Sequence, residues 1–359
     1  MSGGLQRRMV IGLLILISAV FLINGCALFE DERMAKGRKL YRHYCMHCHG
    51  ENGRQNEGFN WARMPDPRPR DLSAKSAMET FKDEELFQAV YRDMKDITPE
   101  TGDTIGDDEF AVPTMPTFKY TLSEDEIWSI LAYVRSLHGM DLTFDVEGRR
   151  KKLEADFLAA EEESKQAQAA LDAAEKKIDE AAAAAEAEGA DEGEDLEDDS
   201  DAEDEESEDV EEEEEEVILP EETALEEATA KLEAAKKSLE HFTKRPKQGQ
   251  ISRPDLTISS DEELVKLQEK GKQLYFNKYG CNACHSIGDQ GGIVGPALDR
   301  AGFRLNGTWI YRWIMYPQGI KRHTRMPTLG FNDPDARAVI AYLKTLRAPK
   351  PDQPIPPPE

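Results

Sequence analysis

The chain has 359 residues, and its 45 Lys and Arg against 72 Asp and Glu side chains give a formal net charge of −27. This length predicts two domains, while the acidic balance excludes the basic surface that nucleic-acid binding requires. The charge is uneven, because residues 189–217 carry 20 acidic side chains and no Lys or Arg. With only 39% hydrophobic residues, the composition favours two compact modules joined by a solvated segment over one large core.

The N-terminus has the pattern of an export signal. A pair of arginines precedes the apolar run 9–23, whose length is typical of the hydrophobic region of a signal peptide. The run ends shortly before Cys26 in a sequence that resembles the lipobox of bacterial lipoproteins, with Asn24 as a departure from that pattern. We therefore expect residues 1–25 to be a signal peptide and Cys26 to carry a lipid, which anchors an exported protein on the periplasmic side of the inner or outer membrane. An uncleaved transmembrane anchor that extends to Phe29 is the alternative.

Composition divides the rest of the chain. Residues 26–32 form a short linker after the lipid anchor. Residues 33–140 (module 1) and 261–347 (module 2) contain aromatic residues, turn residues and mixed charge, which is typical of globular domains. Residues 141–260 form a spacer of different character, and the proline-rich residues 348–359 are expected to be an extended tail.

The spacer predicts a helical hairpin. Hydrophobic and small residues follow a 4-3 spacing along residues 153–185 and again along residues 225–242, which is typical of a coiled coil. The acidic run, residues 191–216, is expected to be a disordered turn between the two helices. Because the second helix is shorter, pairing would be incomplete or completed by another chain, including a second copy of this one. A single solvated helix is the alternative.

Four of the five cysteines lie in two copies of the motif C-x-x-C-H. The first copy contains Cys45, Cys48 and His49, and the second contains Cys281, Cys284 and His285. Two thiols three residues apart lie on adjacent helical turns, so both can bond to the vinyl groups of one haem while the histidine reaches the iron. This motif is the attachment signal for haem c, and two copies predict two covalently bound haems c.

Both motifs have similar surroundings. Upstream, a Gly and a Tyr four residues apart share one helix face, and downstream a Met-Pro pair precedes a capped amphipathic helix that contains a Tyr. In module 1 these residues are Gly37, Tyr41, Met115, Pro116 and Tyr133, and in module 2 they are Gly271, Tyr275, Met326, Pro327 and Tyr342. Ser123 with Glu126, and Asn332 with Asp335, are predicted to cap the two C-terminal helices.

On these residues each module resembles a class I cytochrome c domain. The resemblance covers both globular modules and none of the spacer, and it implies an all-α fold in which the first and last helices cross beside a covalently attached haem. It further implies that His49 and His285 are proximal iron ligands and that Met115 and Met326 are distal ligands. By the same resemblance, the carbonyl of Pro296 orients the ring of His285.

The distal ligands have competitors in both modules. Met115 lies far along the chain from the proximal histidine of module 1, whereas Met64, which also precedes a proline, follows that histidine much sooner. We favour Met115 because it lies just before the terminal helix. Met326 follows its proximal histidine at the shorter spacing of small members of the family, and its competitors are Met315 and His323.

His/Met ligation leaves the iron no open position, which favours electron transfer over catalysis. We therefore expect no catalytic residues, and a membrane-anchored dihaem cytochrome that passes single electrons between redox proteins or membrane respiratory complexes. The alternatives are a cytochrome subunit of a larger oxidoreductase or oxidase complex, docked through the coiled coil, and a dihaem peroxidase with one open iron. We expect the modules to act independently on a flexible arm. The alternative is that the hairpin folds back, so that the modules touch and the two haems can exchange electrons. We expect His43 and His47 to lie at the surface.

Overall fold

The computed structural model describes residues 31–54, 56–58, 68–92, 115–189, 219–247 and 253–348. Cys26, Met64, the acidic run and the proline-rich tail lie outside the described residues, so what the sequence predicts for them stays a prediction. The chain divides into two compact units. The first comprises Met1–Val146 and Thr243–Glu359, and the second comprises Glu147–Phe242.

Module 1 is built from helices around a close crossing. The described helices are α1 (Glu32–Tyr44), α2 (Met46–His49), α3 (Lys75–Met78), α4 (Asp83–Tyr91) and α5 (Glu124–Leu137). α1 packs on α5 at Gly37, where a Cβ atom would lie 1.8 Å from the carbonyl oxygen of Ser129. The predicted capping box starts α5, because Ser123 Oγ accepts from the Glu126 N–H at 3.2 Å and Glu126 Oε2 accepts from the Ser123 N–H at 3.1 Å.

The second unit confirms the predicted hairpin. It contains most of α6 (Val146–Gly189) and α7 (Pro220–Thr243). An ion pair at 2.5 Å between Lys231 and Glu163 links the two helices. The buried residues lie at predicted seam positions: Leu153, Ala160, Leu171, Ala228 and Phe242. α6 has 44 residues against 24 in α7, and the seam residue Ile178 is 51% exposed.

Module 2 repeats the plan of module 1. Its elements are α8 (Asp261–Gln273), a π-helical turn (Leu274–Lys278), a 3₁₀ turn (Cys281–Ala283), β1 (Ser286–Ile287), β2 (Gln290–Gly291), α9 (Ala301–Arg304), α10 (Gly307–Met315), α11 (Pro317–Ile320) and α12 (Asp333–Thr345). The two short strands pair antiparallel. Asn332 Oδ1 accepts from the Asp335 N–H at 2.8 Å, which confirms the predicted cap of α12. Among the described helices of the whole chain, none is both long enough and apolar enough to span a membrane.

The two modules contact each other within the first unit. The N–H of Thr328 in module 2 donates to Thr121 Oγ1 in module 1 at 2.9 Å. Arg245, on the segment leading to module 2, forms a bidentate ion pair with Glu126 of module 1, at 2.8 Å from Nε and 2.9 Å from Nη2. The prediction of independent modules on a flexible arm was therefore wrong, because long-range contacts join the modules.

Asp83 fixes the chain where it leaves module 1. This carboxylate is 1% exposed and accepts from Arg135 Nε at 2.7 Å. It also accepts from the backbone N–H groups of Thr143 at 2.6 Å and Phe144 at 3.0 Å. Phe144 stacks on Trp128 with 3.9 Å between ring centroids. These contacts hold the segment from which α6 begins.

We expect Asp83→Asn to lower the free energy of unfolding by about 3 kcal/mol, because the substitution leaves the buried Arg135 without its counter-charge. Burial alone would raise the pKa of Asp83, but hydrogen bonds from Thr143 and Arg135 outweigh it and hold the pKa below the ordinary value of 3.8. The carboxylate therefore stabilises the folded protein fully at pH values above 3.8, the ordinary pKa. This stabilisation is lost as the pH falls through the lower pKa that Asp83 has in the folded state.

Urea denaturation of the two proteins at several pH values measures this effect. The difference between wild type and variant should narrow at acidic pH, because protonation removes the same charge. Glu84→Gln on the same helix changes an exposed carboxylate and should alter stability by less than about 0.5 kcal/mol. Equal effects of the two substitutions would contradict the role of Asp83.

Candidate cofactor sites

His285, the predicted proximal ligand of module 2, has a fixed ring orientation. His285 Nδ1 lies 2.8 Å from the carbonyl oxygen of Pro296, as expected from the sequence. A carbonyl only accepts, so Nδ1 carries the proton and Nε2 keeps its lone pair for a metal. Burial lowers the pKa of His285, which favours this neutral ring. A Cβ atom on Gly295 would lie 2.3 Å from His285 Cε1, so only glycine lets the backbone pass the ring.

His49 in module 1 is oriented in the same way. Its Nδ1 lies 3.2 Å from the carbonyl oxygen of Arg70, and burial lowers its pKa. His138 Nδ1 lies 2.9 Å from the carbonyl oxygen of Leu72 and so holds the same loop. The sequence did not indicate Arg70, because any residue type supplies a backbone carbonyl, and it did not indicate His138, because this histidine belongs to no motif.

The Gly and Tyr upstream of each motif form matching structures. Tyr41 Oη donates to the carbonyl of Gly50 at 2.8 Å, and Tyr275 Oη donates to the carbonyl of His285 at 3.3 Å. Each of these tyrosines also packs on the tyrosine of its C-terminal helix. The ring centroids lie 5.1 Å apart for Tyr41 with Tyr133 and 5.6 Å apart for Tyr275 with Tyr342. The close helix crossing therefore sets the position of both motifs.

The four motif cysteines are half-buried free thiols. Each is partly accessible, yet burial raises the pKa of Cys45 and of Cys281 to about 12. Burial likewise raises the pKa of Cys284 to about 12.

The predicted distal ligand of module 2 is held at its side chain and its backbone. Trp313 Nε1 donates to Met326 Sδ at 3.0 Å. Gln318 Nε2 donates to the carbonyl of Met326 at 2.6 Å, and Thr328 Oγ1 donates to Gln318 Oε1 at 2.6 Å. Sequence analysis missed Trp313, Gln318 and Thr328, because none of them belongs to a motif; the stacked pair Trp309 and Trp313 on α10 was the available signal.

Met115 lies before α5, as predicted. Arg92 Nη2 donates to the carbonyl of Met115, and Thr117 Oγ1 donates to the carbonyl of Arg92 at 2.6 Å. The structure thus places Met115 on a segment tied to the end of α4. Met64 lies outside the described residues, so the choice between Met115 and Met64 stays open.

The histidines beside the first motif are not both surface residues. His47 is 3% exposed, so its predicted surface position was wrong. Burial lowers the pKa of His47, and the nearby Arg325 of module 2 lowers it further. His43 forms a hydrogen bond with the backbone of Thr324 in module 2. The contact between the modules explains both environments.

These features fit a haem in each module: two free thiols at the spacing of the attachment motif, and a histidine whose Nδ1 faces a backbone carbonyl so that Nε2 keeps its lone pair. The family model for cytochrome c matches the chain twice, over residues 34–138 and 268–347, which together exceed half of its length. No match was found among curated proteins or among solved structures. The two matches imply a covalently bound haem c in each module. The chain therefore belongs to the cytochrome c family and is a haem-binding electron-transfer protein.

Proposed function

We propose that this protein is a membrane-anchored electron carrier that passes single electrons through two His/Met-ligated haems. The observation that carries this proposal is the pair of oriented histidines, each of which donates its Nδ1–H to a backbone carbonyl and keeps Nε2 available. His49 and His285 would bind the iron through Nε2, and Met115 and Met326 would supply the thioether ligands. The haem supplies the one-electron iron couple when bound.

The chain's own residues position the ligands. Trp313 and Gln318 hold the side chain and the backbone of Met326, so the thioether has little freedom to leave. A neutral thioether favours ferrous iron. A histidine and a methionine on each iron would leave no position for peroxide or oxygen, which supports electron transfer over peroxidase chemistry.

Anchoring and partners follow from the sequence. The signal-like N-terminus and Cys26 support a lipid anchor on the periplasmic side of a bacterial membrane. We propose redox proteins or membrane respiratory complexes as electron donors and acceptors. Subunit membership in a larger complex is the second candidate, and the exposed seam residue Ile178 on α6 favours it, because a further helix could cover this position.

The experiment counts haems and tests their ligands. The pyridine haemochrome of full-length protein should show two covalent haems per chain. The ferric spectrum should show the weak charge-transfer band at the red end of the visible range that methionine ligation gives, at full intensity for two sites. We expect Met326→Leu to remove half of this band and to lower the reduction potential of one haem, since a ligand that favours ferrous iron is lost.

Matched methionine variants identify the ligands. Met315→Leu on α10 changes a competitor of Met326 and should leave the band unchanged. Met115→Leu should remove the other half, whereas loss of that half in Met64→Leu would assign the ligand to Met64. A high-spin ferric signal in the wild-type protein, or one haem per chain, would contradict the proposal and favour a peroxidase.

A further inference from the structure

A chain of hydrogen bonds runs from Met326 to the surface of module 2 that faces module 1. The carbonyl of Met326 accepts from Gln318 Nε2, and Gln318 Oε1 accepts from Thr328 Oγ1, both at 2.6 Å. Thr328 is therefore connected to the backbone of the predicted ligand through one side chain. A movement of the backbone that carries Met326 away must break or rearrange this chain of hydrogen bonds.

The chain continues into module 1. The N–H of Thr328 donates to Thr121 Oγ1 at 2.9 Å, and each of these threonines is only 4% exposed. Water cannot readily replace either partner there, which makes the hydrogen bond costly to break. Next to it, the ring of Tyr120 packs so closely on Gly330 that a Cβ atom would lie 2.2 Å from the ring. Module 1 therefore fixes residues 328–330 by a polar and a steric contact.

On the module 1 side, Thr121 belongs to the segment that begins at Met115. The N–H of Thr121 donates to the carbonyl of Phe118 at 2.9 Å, and Thr117 and Met115 are tied to Arg92. The two segments that carry the predicted distal ligands thus meet at one buried hydrogen bond.

We propose that residues 115–121 and 324–330 form one coupled element, in which module 1 holds Met326 on the iron of module 2. Thr121 is the positioning residue, acting through Thr328 and Gln318. This inference rests on the His/Met ligation proposed above. Because coupling free energies are reciprocal, release of Met326 also loosens the segment of Met115.

Imidazole binding to the ferric, fully haem-loaded, full-length protein tests this coupling, because imidazole would bind the iron only after the methionine dissociates from it. The binding phase of module 2 is identified by Met326→Ala, which has no methionine to displace. Thr121→Val keeps the shape of the side chain but removes the oxygen that accepts from the Thr328 N–H. Because an unpaired buried N–H is costly, the state in which Met326 has left the iron becomes more favourable. We therefore expect the imidazole affinity of module 2 to rise about tenfold. Thr345→Val is the matched control, since it removes an exposed hydroxyl that bonds to the carbonyl of Tyr342, and it should leave the affinity unchanged.

Amide hydrogen exchange supplies a second readout. Exchange in residues 324–330 should quicken in Thr121→Val, and exchange in residues 115–121 should quicken in Met326→Ala. Should Thr121→Val not accumulate, Tyr120→Leu weakens the packing on Gly330 instead and should raise the affinity in the same direction. Thr121→Ser, which keeps the hydroxyl, should restore wild-type affinity.

The outcomes separate the two proposals. A wild-type charge-transfer band together with unchanged imidazole affinity and unchanged exchange in Thr121→Val would overturn the coupling and leave the His/Met ligation standing. A wild-type protein without the band would overturn the ligation itself. Equal rises in affinity for Thr121→Val and Thr345→Val would also overturn the coupling, since a general loosening would then explain the effect.

Discussion

Replacing Cys281 and Cys284 together by alanine is expected to reduce the covalent haem from two per chain to one. Both thioether bonds of module 2 are lost, and His285 alone would hold a haem only without covalent attachment. Module 1 keeps its own pair of thiols on α2 and in the residue before it, so its haem should remain. The pyridine haemochrome per chain and the intact mass of the protein measure the result directly.

The matched control is Cys26→Ala, which changes the remaining cysteine. It should leave two haems per chain and abolish incorporation of labelled fatty acid, because the proposed lipid has no attachment site. A wild-type protein that incorporates no label would contradict the lipid anchor and favour an uncleaved transmembrane segment. A fall in the haem count of Cys26→Ala would show that the assignment of cysteines to the two motifs is incorrect.

Local patterns in the sequence predicted much of each module. The Gly-Tyr spacing, the capping box of Ser123 and Glu126, and the carbonyl of Pro296 are all found where expected. Each depends on residues close together in the chain or on a motif with a fixed spacing. The 4-3 spacing in the spacer is likewise a local property and correctly predicted the paired helices of the second unit.

Features that depend on distant residues were not predictable in this way. Thr121 and Thr328 are 207 positions apart in sequence, and neither stands in a recognisable motif. The burial of His47 follows from the same contact between modules, so no pattern around the first C-x-x-C-H motif could indicate it. The carbonyl of Arg70 carries no residue-type signal, whereas the carbonyl of Pro296 was expected through the resemblance of module 2 to a class I cytochrome c domain.

The contacts between the two modules contradict the prediction that each module acts independently. Arg245 and Glu126 join the connecting segment to module 1, and Thr328 of module 2 donates to Thr121 of module 1. The two modules tied in this manner lie in one compact unit, although the helical insertion Glu147–Phe242 separates them in sequence.

Gly271→Ala is expected to destabilise the protein even though alanine is the better helix former. In module 2, α8 crosses α12 so closely that a Cβ atom on Gly271 would lie 1.9 Å from the carbonyl oxygen of Ala338. The obstacle is backbone, so the two helices must move apart, and overpacking of this kind costs about 1–3 kcal/mol. The higher helix propensity of alanine over glycine offsets only about 1 kcal/mol of this cost. At the upper end of the overpacking cost, we therefore expect the free energy of unfolding to fall by about 2 kcal/mol.

Guanidinium denaturation of the haem-loaded protein, followed by far-ultraviolet circular dichroism, measures this loss. Gly37→Ala should behave alike in module 1, where the Cβ atom would lie 1.8 Å from the carbonyl oxygen of Ser129. Lys272→Ala changes an exposed neighbour on α8 and should alter the free energy of unfolding by less than about 0.5 kcal/mol. If Gly271→Ala instead stabilised the protein by the helix preference alone, the two helices could not cross at this distance, and the position of Tyr275 beneath the second motif would need another explanation.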